Sequence, residues 1–165
     1  MRMLAFILTL FAAVSSAAAQ DWKEYAYPYL AFTVSFPAAP ISEKTTYMTA
    51  NGQPAEAQVY TVLQDRSVFK ITVVDLGQAA LEEKVIIDHA IKTLSEGSEI
   101  KVDIPHRISA VYGRQLSILG SDGSRSSVAV FYHKGRLYQI EGKTSSGNSG
   151  TADTIRFQQS LVFDG

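Results

Sequence analysis

The sequence predicts an α+β fold in which an antiparallel β-sheet is covered by helices on both faces, an α/β/α sandwich. Short runs rich in Val, Ile, Phe and Tyr recur between tight-turn signals, so successive strands should pair antiparallel. Only two stretches change to helical spacing, and both follow runs of strands. The clearest hairpin, Arg125 to Lys143, is apolar on both faces around a Lys134-Gly135 turn. Its alternation sets Phe131 against Tyr138 and Ala129 against Ile140, and turns Val128, Val130, Tyr132 and Leu137 to the other side. A sheet apolar on both faces needs cover on both, which a single helix cannot supply.

The chain opens with Arg2, an apolar run from Met3 to Val14 and the small residues Ala17-Ala18-Ala19. That pattern predicts a secretory signal peptide over residues 1–19, cleaved before Gln20, ahead of one domain spanning residues 20–165. The apolar run is short for a membrane anchor, which needs about 20 residues. After an aromatic leader, Asp21 to Tyr29, Phe32, Val34 and Phe36 share one strand face, and Pro37 stops the ladder for want of an N–H. Asn51-Gly52, well suited to a type I′ turn, separates strands over Ile41–Ala50 and Gln53–Leu63. Gln64-Asp65-Arg66-Ser67 makes a polar turn into Val68–Leu76, which reads as a buried strand.

From Gln78 to Glu96 the period becomes helical, with Ala80, Ile87, Ala90, Ile91 and Leu94 on one face. Glu82 and Glu83 suit the helix start, Asp88 and Lys92 stand one turn apart, and Gly97 is placed to end the helix. Leu81 and Val85 fall off the main stripe, which points to contacts beyond a single sheet. Ile100–Ile108 alternates weakly around Pro105 and reads as an edge or bulged strand. Val111–Leu119 and Ser126–His133 follow, joined by the Gly120–Ser124 turn. A polar loop, Thr144 to Gly150, leads to a last helix over Ala152–Ser160, with Ser149 or Thr151 as its cap. Leu161-Val162-Phe163 then extends out of it.

The formal net charge is −1 and there is no Cys. A disulfide framework and a lipid-modified Cys are thereby excluded, and the fold has to be held by its core. Loss of Arg2 with the signal would make the chain more negative, so no electrostatic footprint for nucleic acid or an anionic membrane is expected. No membrane span is expected after signal cleavage.

The order of elements resembles the α/β/α fold of the photosystem II extrinsic PsbP-like proteins, shared with a Ran-binding nuclear import factor and many small secreted bacterial proteins. The residues carrying the resemblance are Phe32-Thr-Val-Ser-Phe36-Pro37-Ala-Ala-Pro40, Gly135-Arg136-Leu137-Tyr138-Gln139-Ile140 and Arg156-Phe157-Gln158-Gln159-Ser160-Leu161. The resemblance implies a binding or assembly role more than catalysis. It transfers no functional residue, because the matching positions are ones that build a core.

No residue pattern marks a catalytic, metal or cofactor site. His89 and Asp88, neighbours on a helix, point apart, and no two His residues have metal-ligand spacing. His106 and His133 lie in a bend and at the hairpin turn, where nearby acids such as Asp103 or Glu141 would decide their role. No Gly-x-Ser-x-Gly elbow exists, and Gly120–Ser124 and Gly147–Gly150 lack the Walker Lys, so both read as turns.

The candidate interaction residues are therefore Trp22, Tyr25, Tyr27 and Tyr29, with the hairpin tip His133, Lys134 and Arg136. The aromatic leader either packs along the sheet or forms an exposed arm, since alternate spacing puts its three Tyr residues on one side of an extended chain. Two functional expectations follow. The first is a non-enzymatic exported, periplasmic module that recognises an envelope protein or a small ligand, without a cofactor. The alternative is a small periplasmic hydrolase or metal-dependent enzyme that uses loop His and acidic residues.

Overall fold

The computed structural model describes residues 21–77, 81–148 and 150–164. The expected signal peptide, Ala80 in the helical stripe and Ser149 as a cap lie outside these residues. The elements, in chain order, are β1 (Lys23–Tyr27), β2 (Phe32–Phe36), β3 (Ile41–Met48), β4 (Pro54–Gln64), β5 (Ser67–Asp75) and α1 (Glu83–Leu94). They continue with β6 (Ser98–Ile108), β7 (Val111–Gly120), β8 (Arg125–His133), β9 (Arg136–Thr144), α2 (Thr151–Gln159) and β10 (Val162–Phe163).

Seven strands form one antiparallel sheet in the order β3-β4-β5-β9-β8-β7-β6, and β1-β2-β10 form a separate three-stranded sheet. The β8–β9 hairpin has the expected register, Phe131 opposite Tyr138 and Ala129 opposite Ile140. Lys134 and Gly135 both have positive φ, 48° and 77°, as a type I′ turn requires. β6 is an edge strand whose register slips between Ile100 and Val102, as its weak alternation and Pro105 suggested.

The two faces of the large sheet have different cores. Phe69, Ile71, Ala129, Phe131, Tyr138 and Ile140 belong to one cluster, and Val74, Val128, Val130 and Leu137 to the other. Ile86, Ile87, Ala90 and Ile91 of α1 complete the second cluster. The first is completed by Phe157 of α2, but also by Phe32, Val34 and Phe36 of β2 and Phe163 of β10. The antiparallel sheet is thus as expected, while the expected all-helical cover is replaced on this face by a small sheet beside one helix. Burial explains the difference: α2 spans nine residues, too short to hide seven strands, and β2 adds three fully buried apolar side chains.

Several local expectations change. Asn51-Gly52 does not make a type I′ turn: only Gly52 has positive φ (76°), and the Gly52 N–H donates to the Thr49 carbonyl at 2.9 Å. Thr49 also closes the wider loop, its N–H donating to the Gln53 carbonyl at 2.9 Å. The tip is therefore a longer loop whose last residue is left-handed. Among the described residues the first long helix begins at Glu83, and Asp88 pairs with Lys84, not Lys92. Gly97 adopts φ 69°, but the cap itself is Ser95. Gly150 stands at the N-cap of α2, so Thr151 is already inside the helix.

α2 lies so close to β9 that a Cβ on Gly142 would sit 2.7 Å from Thr154 Cα and from its carbonyl oxygen. Gly142→Ala is expected to lower stability by about 1–3 kcal/mol through overpacking, measured by denaturant unfolding. On the same helix Gln158 is fully buried with both amide atoms unpartnered among the described residues. Removing an unmet polar group of similar size is expected to help, so Gln158→Met should raise stability by about 1 kcal/mol or more in the same assay.

Candidate functional site

The aromatic leader is a strand. Tyr25 lies opposite Val34 and Tyr27 opposite Phe32 in the β1–β2 ladder. Trp22 meets Phe69 edge-on at 5.4 Å between centroids, and the Arg156 guanidinium stands 4.7 Å from the centre of its ring. Tyr25 meets Phe36 at 5.9 Å, and Tyr27 stacks on Phe32 at 4.8 Å. Burial, with the neighbouring Tyr60 and Tyr25 adding to it, pushes the Tyr27 hydroxyl up to about 12. These three aromatics pack on the core, whereas Tyr29 is 95% exposed.

The cause of that split is Pro28, which opens a 3-10 turn over Pro28–Leu30. The Ala31 N–H donates back to the Pro28 carbonyl at 3.1 Å, and the strand alternation that would align Tyr29 with Tyr25 and Tyr27 is broken. Tyr138 pins the turn to β9, its hydroxyl donating to the Leu30 carbonyl at 2.8 Å.

The same end of the molecule carries the hairpin tip. Lys134 is exposed, while His133 and Arg136 are half-buried. The Leu76 N–H donates to the Gly135 carbonyl at 2.9 Å, which brings the end of β5 against the tip. Arg136, Leu30, Lys44, Tyr60 and Asp75 border a cleft of about 180 Å³. Tyr29 and the tip, far apart in sequence, thus stand at one end of the fold.

A larger cleft of about 390 Å³ opens at this end, between the β3–β4 loop, the end of β5 and α1. Its apolar lining comes from Pro54, Ala55, Leu76, Leu81 and Ile86, and its polar lining includes Tyr47, Glu56, Asp75 and His89. Leu81, which precedes α1 and is not part of it, is one wall of the cleft, whereas Val85, expected with Leu81 to make contacts beyond a single sheet, is exposed. Tyr47 meets the His89 ring edge-on at 6.0 Å. Burial raises the Tyr47 hydroxyl above its ordinary range, while the Gln139 and Thr93 side chains nearby oppose the shift without closing a hydrogen bond.

One His and two carboxylates therefore line this cleft, and each is engaged separately. His89 Nε2–H donates to the Met48 carbonyl at 2.9 Å, a bond that fixes the tautomer because the carbonyl only accepts. Glu56 pairs with Lys44 at 2.9 Å, and Asp75 Oδ1 accepts the Gly77 N–H at 3.0 Å. Among the described residues no three His or acidic side chains converge as a metal would need. Sequence reasoning missed Tyr47 and Asp75 altogether, because neither carries a local signal; strand pairing alone brings them to one place.

The other two His residues sit apart from this cleft. His106 lies 5.6 Å from the Phe131 ring and His133 5.3 Å from Phe163. Gly123 and Ser146, from the two Gly/Ser-rich turns, face each other elsewhere in the fold. Burial first, and then the Lys134 charge, lowers His133 below its usual 6.5. The unfolded chain then binds this proton more readily than the fold, so the His133 contribution is complete above about 6.5 and shrinks as pH falls through the lower folded value. Thermal unfolding at pH 7.5 and 5.5 is expected to show a smaller acid loss in His133→Asn than in the wild type.

No helix among the described residues is long and apolar enough to cross a membrane. No protein-family model matches the chain, and no curated protein matches it. Among solved structures, the chain is similar to the solution structure of cyanobacterial PsbP (CyanoP) from Synechocystis sp. PCC 6803, with a TM-score of 0.60. The likeness covers 93% of this chain and 98% of that one at 9% sequence identity. The fold is PsbP-like.

Proposed function

We propose that this chain is a non-enzymatic, exported binding module of the cell envelope, and that it meets a small ligand or an envelope protein at the end that carries Tyr29 and the larger cleft. The observation that carries the reading is the cleft of about 390 Å³, apolar at its walls with a few polar groups on its border. Its His and acids are held by neighbouring groups and form no nucleophile–base pair. Export rests on the residues 1–19 pattern, and an extrinsic binding role accords with the PsbP-like fold. Trp22, Tyr25 and Tyr27 act in this reading as the packing that holds the 3-10 turn in place, and Tyr29, Lys134 and Arg136 are the parts that meet a partner.

The hydrolase or metal-enzyme reading draws on one specific observation, that His89, Glu56 and Asp75 border a single cleft. Elemental analysis of the purified protein discriminates between the readings: stoichiometric metal, lost in His89→Ala, would favour the enzyme. For the binding reading, a small-ligand screen followed by chemical shifts is expected to perturb Tyr47, Leu81 and His89. Ala55→Arg, which places a large side chain in the cleft, should abolish those shifts, and Tyr29→Ala should leave them. Loss of envelope-protein capture in Tyr29→Ala with an unchanged Tm would assign the contact to the rim. Ligand shifts that map to neither cleft nor rim would overturn the assignment.

A further inference from the structure

We infer that β3 is the seam of a symmetric dimer, in which a second copy of this chain continues the large sheet by antiparallel pairing of β3 with β3. β3 and β6 are the two edges of that sheet. β6 is blunted against pairing: its register slips between Ile100 and Val102, with Lys101 at the slip, and Pro105 follows. β3 has no such guard. It pairs with β4 from Ile41 to Met48 without a slip and contains no Pro. Its one Lys, Lys44, is neutralised by Glu56 at 2.9 Å. Every residue of the strand except Tyr47 is exposed.

The ladder gives the direction of the β3 backbone groups. The Thr49 N–H donates to the Gln53 carbonyl, so in the same register Tyr47, Thr45 and Glu43 also turn their N–H and C=O groups toward β4. Met48, Thr46, Lys44 and Ser42 turn theirs to the open side. Pro54, which has no N–H, accordingly stands opposite Met48, where the ladder asks for none. The Met48 carbonyl is taken from outside the ladder by His89 at 2.9 Å. That contact closes one end of the edge, and the outward groups of Ser42, Lys44 and Thr46 have no partner among the described residues. A two-fold axis through the sheet allows few registers, because facing residues must share a face. Centring on Lys44 sets its charge against itself, and centring on Glu43 opposes two carboxylates. Centring on Thr46 needs the Met48 edge that His89 occupies. Centring on Thr45 opposes no like charges, and it exchanges backbone hydrogen bonds between Lys44 and Thr46 of the partner subunit. It also sets the partner's Glu43 opposite Tyr47, at the border of the larger cleft.

The chain has no Cys, so a single introduced thiol reports the seam. Thr45→Cys is expected to give a disulfide-linked dimer with diamide as oxidant, because facing Cβ atoms of such a pair stand within disulfide reach. Lys44→Cys, and Leu63→Cys at an exposed site of β4, should stay monomeric. Sedimentation of the wild-type protein at rising concentration is expected to show a monomer–dimer equilibrium. Thr46→Pro removes one outward N–H from each copy and should weaken the dimer about tenfold. Pro on the open side leaves the β3–β4 ladder whole, so the Tm should hold in Thr46→Pro and fall in Thr45→Pro. A protein that stays monomeric at every concentration, with Thr45→Cys cross-linking no faster than Leu63→Cys, overturns the inference. So does a dimer that is undiminished in Thr46→Pro. A dimer that cross-links through Lys44→Cys and not through Thr45→Cys overturns the Thr45 register.

Discussion

The two-sided burial of β5, β8 and β9 is the constraint on which the rest of the structure depends. Ile71, Phe131, Tyr138 and Ile140 face one core, and Val74, Val128, Val130 and Leu137 face the other, all at or below a few per cent exposure. Each such side chain contributes about 1.5–3 kcal/mol when removed from water, so both faces have to be covered for a chain with no disulfide to stay folded. One face is served by α1. The other needs more area than α2 provides, and the chain meets that need by bringing its first and last strands together over it.

The end that carries the clefts follows from this arrangement. α1 lies over the middle of its face, against β8 and β9. The β3–β4 hairpin projects beyond it, and the space between them is the larger cleft. Opposite, the 3-10 turn that ends β1 is tied to β9 by Tyr138, so the exposed Tyr29 stands over a rigid base. Neither feature arises from a sequence motif. Both come from where covering elements stop.

What the sequence made legible was local. Alternation in Arg125–Lys143 was enough to place Phe131 opposite Tyr138, since a period of two leaves little freedom once both faces are buried. Pro105 and weak alternation marked β6 as an irregular edge for the same reason. The turn at Asn51-Gly52 was misjudged because Thr49, through its own backbone and hydroxyl, lengthens the loop. β1 was hidden by its proximity to Pro28, and β10 by its length of two residues, which carries no periodicity at all. The cleft was the least legible part. Tyr47 and His89 meet only through strand pairing and helix placement, and no local pattern in the sequence brings them together.

The small sheet also fixes how the molecule presents itself. β1 and β10 both run antiparallel to β2, and therefore parallel to one another. Lys23 lies opposite Phe36, whereas Phe163 lies opposite Phe32, beside the 3-10 turn. Lys23 therefore lies at the end of the small sheet away from Tyr29. Tension between the two ends of the chain would slide β1 and β10 lengthwise along β2, loading the backbone hydrogen bonds together instead of peeling them one by one.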